Sequence, residues 1–287
     1  MIQPAANPFD KISPTALMVA HARQFTDIPY TQALATLVDA RSAFDQLLSQ
    51  SSALPLDMAV MIEGRYKAIN QAMAEFAPTQ ILELASGLLP RGMVMTQDPN
   101  LIFVESDLPI MLSRKQKLVQ QLVGDRPNLH FAVIDVTAQP SQFPIDAYWQ
   151  PDQPIAILCE GLLMYLDQTE KQRVFANVRE LLQIYGGVWI TSDLVDLESL
   201  HRRREISPAL RQVGAMIARI SDRSKTECYF DTFEQVQQFA HQQGFQIQHQ
   251  SMLNIMPQLT CLQPLGINPK IAEALLADSF VFTLRLR

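Results

Sequence analysis

Up to about residue 76, apolar positions recur at the three- and four-residue spacing of amphipathic helices. Ser13-Pro14-Thr15 opens the first, a capping residue followed by proline in the first turn. Thr31 can open the next, with Leu34, Leu37, Val38, Arg41 and Phe44 on one stripe. Met58, Met61, Ile62, Tyr66 and Ile69 form a third stripe, read as core packing. From Gln80 the pattern changes to short apolar runs alternating with amphipathic segments. Runs at 81–85, 101–105, 129–134, 155–159 and 188–192 each end in a polar, acidic or small residue, as buried parallel strands do. Segments 110–123 and 168–184 supply helices between them.

Strand–helix alternation predicts an α/β fold, a doubly wound and mostly parallel sheet with helices on both faces. Asp231-Thr232 begins a helix through Gln242, closed by Gly244, and strands follow from Phe245 and over 279–286, with a short helix around 271–277. Two late strands after five parallel ones predict a seven-stranded sheet ending in an antiparallel pair. The stretch 196–226 falls outside the alternation and reads as a helical insertion after the fifth strand, placed to act as a lid. The expected organisation is therefore a helical N-terminal cap over residues 1–76 and a ligand-binding domain over 77–287.

Composition narrows the function. Hydrophobic residues make up 48% and charged residues 18% of 287, with a formal charge of −6. That is a globular chain without the clustered Lys and Arg that phosphate backbones require, so no nucleic-acid partner is expected. No segment approaches the roughly 18 uninterrupted apolar residues of a membrane span, and the N-terminal residues lack a signal peptide's basic-then-apolar run. Cys159, Cys228 and Cys261 are odd in number and far apart, which suits a reducing cytoplasm. No acidic or histidine cluster has metal-ligand spacing; Asp193 and Asp196 are a weak pair. The oligomeric state is not readable.

The chemistry concentrates where strands end. In Ile81-Leu82-Glu83-Leu84-Ala85-Ser86-Gly87-Leu88-Leu89-Pro90-Arg91-Gly92 a buried strand enters a turn of small residues, which lets backbone approach a ligand. A dinucleotide fingerprint needs three glycines; Ala85 stands where the first would be. In Glu105-Ser106-Asp107-Leu108-Pro109 a carboxylate at the strand end can accept from both hydroxyls of a ribose, while Asp107 can also cap the next helix. Glu105 is read on the ribose, with Asp107 divided between capping and binding. At Ile134-Asp135-Val136 the carboxylate can take an adenine amino group and a neighbouring amide a ring nitrogen, although a lone Asp there also serves as a turn residue. Glu160 ends the apolar run before Gly161-Leu162-Leu163-Met164-Tyr165-Leu166, where a carboxylate is costly unless it is paired or faces a ligand. It can face an ammonium group, or pair structurally with an arginine.

Together these segments resemble the leucine carboxyl methyltransferase family, and within it the bacterial small-molecule O-methyltransferases of polyketide type. The Glu-x-Asp-x-Pro and Glu-Gly-Leu-x-x-Tyr-Leu motifs are intact at 105–109 and 160–166. The first, glycine-containing motif is partial: Gly87, Leu88 and Arg91 match, whereas Ala85, Leu89 and Pro90 depart. Gly64-Arg65-Tyr66-Lys67-Ala68-Ile69-Asn70 resembles the family's arginine-bearing helix, with Asn70 for an expected Asp. The resemblance implies a class I, Rossmann-like methyltransferase fold and S-adenosylmethionine as cofactor. Arg65 would hold the cofactor's carboxylate, and Glu83, Ala85, Gly87, Arg91, Glu105, Asp107, Asp135, Val136, Glu160 and Gly161 would complete its site. The implied reaction is methyl transfer to a carboxylate or hydroxyl of a small molecule. An ionised carboxylate needs no general base, and none of the five histidines is named as one. Two other classes stay open: a non-catalytic binding protein on the same fold, and an NAD-dependent oxidoreductase. Arg202-Arg203-Arg204 is either a solvated helix face or part of a lid that pairs with an anionic acceptor.

Overall fold

A computed structural model describes residues 13–48, 57–145, 147–207, 210–211, 215 and 225–287. Four helices lead: α1 (Ser13–Arg23), α2 (Thr31–Leu37), α3 (Ala40–Leu48) and α4 (Asp57–Ala74). The strands are β1 (Gln80–Leu84), β2 (Ile102–Asp107), β3 (Leu129–Val133), β4 (Ile155–Cys159), β5 (Gly187–Thr191), β6 (Phe245–Ser251) and β7 (Phe280–Leu286). Between them run α5 (Arg91–Met95), α6 (Pro109–Val123), α7 (Gln168–Tyr185), α8 (Leu197–Ile206), α9 (Lys225–Cys228), α10 (Phe233–Gln242), α11 (Leu262–Leu265) and α12 (Pro269–Ala277).

All seven strands form one sheet in the order β3-β2-β1-β4-β5-β7-β6. Pairs among β1–β5 are parallel, and β7 is antiparallel to both β5 and β6. Side-chain alternation divides the core. Ile81, Phe103, Ala156, Leu158 and Ile190 face one layer, which α1–α4, α6 and α12 cover. Leu82, Leu84, Ile157, Cys159 and Trp189 face the other, beneath α7 and α10. Both faces are buried, so the central strands read as continuous apolar runs.

Local signals set several boundaries. Asp167 caps α7 with Glu170 returning the bond, a reciprocal box at 2.8 and 2.9 Å. Thr232 caps α10 and Asn268 caps α12. The stripe expected from Thr31 to Phe44 is broken in two, because Asp39 turns left-handed at φ 48° and restarts the chain as α3. Leu37, on that stripe, is accordingly 39% exposed. The insertion expected over 196–226 begins as α8, and most of the rest lies outside the described residues. No helix among the described residues is long and apolar enough to cross a membrane.

Candidate active site

The strand order reverses between β1 and β4, and loops at their carboxyl ends diverge there to leave a crevice. A cavity of about 340 Å³ fills it, roofed by α1 and α4. Its floor is the turn after β1. Ala85 and Gly87 both lie in the left-handed region, at φ 49° and 50°, which aims the 85–87 backbone into the cavity. Gly87 fits that conformation without strain; Ala85 adopts it against the clash of its own Cβ.

The end of β2 locks this turn. The Ser106 hydroxyl donates to the Glu83 carbonyl at 2.9 Å, and the Ser86 amide donates to the Ser106 carbonyl at 2.8 Å. The Asp107 carboxylate accepts from the amides of Gly87 and Leu108, both at 2.8 Å. Burial pushes the Asp107 carboxyl up, against the pull of those two amides. It does not cap α6, whose first turn starts from Leu108 without a side-chain cap. After β3, Asp135 accepts from the amide and hydroxyl of Thr137 at 2.9 and 2.7 Å, so it is a turn residue and a cavity residue at once.

Beyond β4, Glu160 meets Arg91 Nη2 at 2.8 Å and Arg23 Nη2 at 3.4 Å. Burial raises its pKa, and Arg91, Arg23 and Arg65 more than reverse that, holding the carboxyl below its ordinary value. Arg91 is wholly buried; it also pairs with Glu83, donates to Asn70 Oδ1 at 2.8 Å and stacks 4.5 Å from the Tyr66 ring centroid. The turn carrying Glu160 is fixed from β5: Asp193 accepts from the amides of Gly161, Leu162 and Leu163 at 2.8, 2.7 and 3.1 Å.

Eight of the residues singled out from sequence line this one cavity: Arg65, Ala85, Gly87, Asp107, Asp135, Val136, Glu160 and Gly161. Three do not. Arg91 sits behind Glu160 as its buried counter-charge, and Glu83 lies beyond it on the same arginine. Glu105, read on a ribose, turns away onto Lys115 at 2.9 Å and lies under α5, where a Cβ on Gly92 would collide with its Oε1. The acid at the cavity is Asp107: alternation puts Glu105 and Asp107 on the same face, and they differ in depth, Glu105 lying within the sheet on Lys115 and Asp107 at the strand's carboxyl end. Sequence reading missed Arg23, the one arginine of α1, and took Asp193 only as half of a weak pair.

A seven-stranded sheet in this order, with a cavity at its reversal and acids at successive strand ends, defines the class I methyltransferase fold. The chain belongs to the leucine carboxyl methyltransferase family, whose profile matches residues 13–179. It is 31% identical over 111 residues to a protein of Parafrankia sp. (strain EAN1pec) named "Putative S-adenosyl-L-methionine-dependent methyltransferase", covering 38% of this chain and 36% of that one. A Mycobacterium sp. (strain JLS) protein of the same name is 28% identical over 187 residues, 59% of this chain and 62% of that one. The chain thus matches less than two thirds of the length of either relative. Among solved structures, a DUF574 family protein from Streptomyces avermitilis superposes at a TM-score of 0.56 with 14% identity, covering 95% of this chain and 97% of that one. A protein titled "putative methyltransferase" from Thermobifida fusca gives 0.52 with 19% identity, covering 94% of each chain. Both likenesses speak to the fold.

Proposed function

We propose that this protein is an S-adenosylmethionine-dependent O-methyltransferase acting on a carboxylate or hydroxyl of a small molecule. The observation that carries the reading is the single cavity joining the Gly87 turn, Asp107, Asp135, Glu160 and Arg65 at four strand ends and one helix. Its polar surface fits that cofactor. Arg23 Nε, Arg65 Nε and Ser86 Oγ are buried beside the cavity without a hydrogen-bond partner, and buried polar atoms of this kind call for a polar ligand.

Arg65 would take the cofactor's carboxylate by a charge-assisted pair, and Glu160 its ammonium. Asp107 would accept from the ribose hydroxyls, and Asp135 with the Val136 amide would read the adenine edge. Bound there, the cofactor supplies an activated methyl group on a sulfonium. The protein's own work is orientation and the exclusion of water. With the cofactor so held, its methyl group would be available to an acceptor oxygen placed in line with it, S-adenosylhomocysteine being the by-product. An ionised carboxylate has no proton to lose, whereas a hydroxyl must pass one to solvent or a base. The Gly87 amide is already spent on Asp107 rather than free for a pyrophosphate, which favours this reading over an NAD enzyme. The three cysteines are buried and form no disulfide, consistent with work in a reducing cytoplasm.

Calorimetric titration tests the reading. S-adenosylmethionine should bind and NAD should not, with at least about a tenfold loss for Asp107→Ala and for Arg65→Met, a change on the order of 1.4 kcal/mol. Absence of S-adenosylmethionine binding overturns it. Binding without turnover on a broad panel of acids and phenols would instead mark a binding protein.

A further inference from the structure

A second cavity of about 160 Å³ adjoins the first and shares Thr15, Val19, Arg65, Met164 and Tyr165 with it. Its walls are apolar and adaptable: Met18, Met58, Met61, Met164, Met252 and Phe280 contribute. Its charges do not balance. Among the described residues, Arg65, Arg203 and Arg204 face it against a lone carboxylate, Asp193. That carboxylate is already committed to the three backbone amides of the 161–163 turn.

The three consecutive arginines of α8 divide sharply. Arg202 pairs with the Asp278 carboxylate at 3.0 Å on the surface and needs nothing more. Arg203 is 9% exposed, and its Nη1 donates only to neutral acceptors, the Asp278 carbonyl at 3.4 Å and the Ser279 hydroxyl at 3.0 Å. Burial pulls its pKa down to about 10, against the more distant Asp196 and Asp278. Arg204 has a buried Nε without a hydrogen-bond partner. Guanidinium groups withdrawn from water without a counter-anion are costly, and a carboxylate in the cavity would match their geometry.

We propose that the second cavity takes an apolar small acid, held by Arg203 and Arg204 through an anionic group that is not the one methylated. Arg203 and Arg204 line the second cavity only, whereas the junction with the first is built by Thr15, Val19, Arg65, Met164 and Tyr165. An anion seated on Arg204 therefore lies at one end of the ligand, with the apolar body along the methionines. The oxygen that receives the methyl group is presented at the other end, at the junction. The acceptor is an acid with a second, methylatable oxygen remote from its charge. Treating this cavity as the acceptor pocket rests on the methyltransferase reading.

The experiment uses the full chain saturated with S-adenosylhomocysteine, and titrates octanoate, 1-octanol and octylamine. Octanoate should bind at least about tenfold more tightly than octanol, and octylamine should bind more weakly than either. Arg204→Met should remove that preference, weakening octanoate about tenfold and leaving octanol within about twofold, while Arg204→Lys, which keeps the charge but not the planar fork, retains part of it. With S-adenosylmethionine present, octanoate should not be converted to its methyl ester. Equal binding of octanoate and octanol, an unchanged preference in Arg204→Met, or methylation of octanoate each overturns the proposal. Failure of S-adenosylhomocysteine to bind overturns the methyltransferase reading instead, and octanoate titrated into the chain alone still tests the arginines.

Discussion

Asp193 accepts a hydrogen bond from the amide of Gly161 at 2.8 Å, tying the end of β5 to the turn that follows β4. Two further amides, Leu162 and Leu163, close on the same carboxylate. That turn has no regular partner for its amides, so the carboxylate acts as a scaffold for Glu160. Asp193→Ala should strand three buried donors and cost about 2–4 kcal/mol in urea unfolding. Asp193→Asn keeps a single oxygen acceptor and should cost less. Loss of stability below about 0.5 kcal/mol in Asp193→Ala would show that the turn holds its shape unaided.

Arg91 neutralises Glu83 and Glu160 together in a region closed to water. Arg91→Met removes both pairings at once and should destabilise the fold by about 3–5 kcal/mol at neutral pH. Glu83, which loses its salt-bridge partner, would then prefer its protonated form while Glu160 keeps Arg23, so the deficit should shrink as pH falls. Adding Glu83→Gln should recover part of the loss, and a double-mutant cycle from denaturation midpoints measures how much. Purely additive effects would mean the two side chains do not interact energetically.

Ala85 holds a left-handed backbone at φ 49° where glycine is at ease. The strain of an L-residue there is roughly 1–2 kcal/mol, and glycine's extra freedom in the unfolded chain returns roughly 0.5–1. Ala85→Gly should therefore be neutral to stabilising by up to about 1.5 kcal/mol, read as a raised thermal midpoint. A clear drop in midpoint would mean that the Ala85 methyl contributes packing that exceeds the strain.

Glu105 carries the pH dependence that follows most directly from burial. Burial pushes its carboxyl up to about 7, against the opposing pull of Lys115 and with the charge of Glu83 adding to the rise. An unfolded chain would titrate this group near its ordinary value of about 4.3. Below that pH both states hold the proton and no penalty arises. Between there and about 7 the unfolded state releases its proton while the folded state keeps it, so this group lowers stability as pH rises. Unfolding of the wild type and of Glu105→Gln, followed from pH 4 to pH 8, should show the variant gaining on the wild type across that window. A pH-independent difference between them would place the Glu105 carboxyl at its ordinary value.

Much of the architecture was legible because it rests on short-range pattern. The five parallel strands fall within two residues of their apolar runs, since a strand buried on both faces must be apolar throughout. The Thr232 start is equally local. The α2–α3 break was not legible, because Asp39 continues a helical stripe in sequence and departs from it only through its backbone angle.

The candidate site shows the same division more sharply. By itself the sequence determined that acids would stand at the ends of β2, β3 and β4 and that a small-residue turn would follow β1, because spacing along the chain sets those positions. Only the tertiary structure decided which acids face the ligand and which neutralise a buried arginine. Glu105 and Asp107 are two residues apart, yet one faces Lys115 in the core and the other the cavity. Arg23 reaches Glu160 across 137 positions of sequence, and Asp193 reaches Gly161 across 32. Such pairings depend on which elements the sheet order places side by side, and on where water is excluded. No local pattern encodes either.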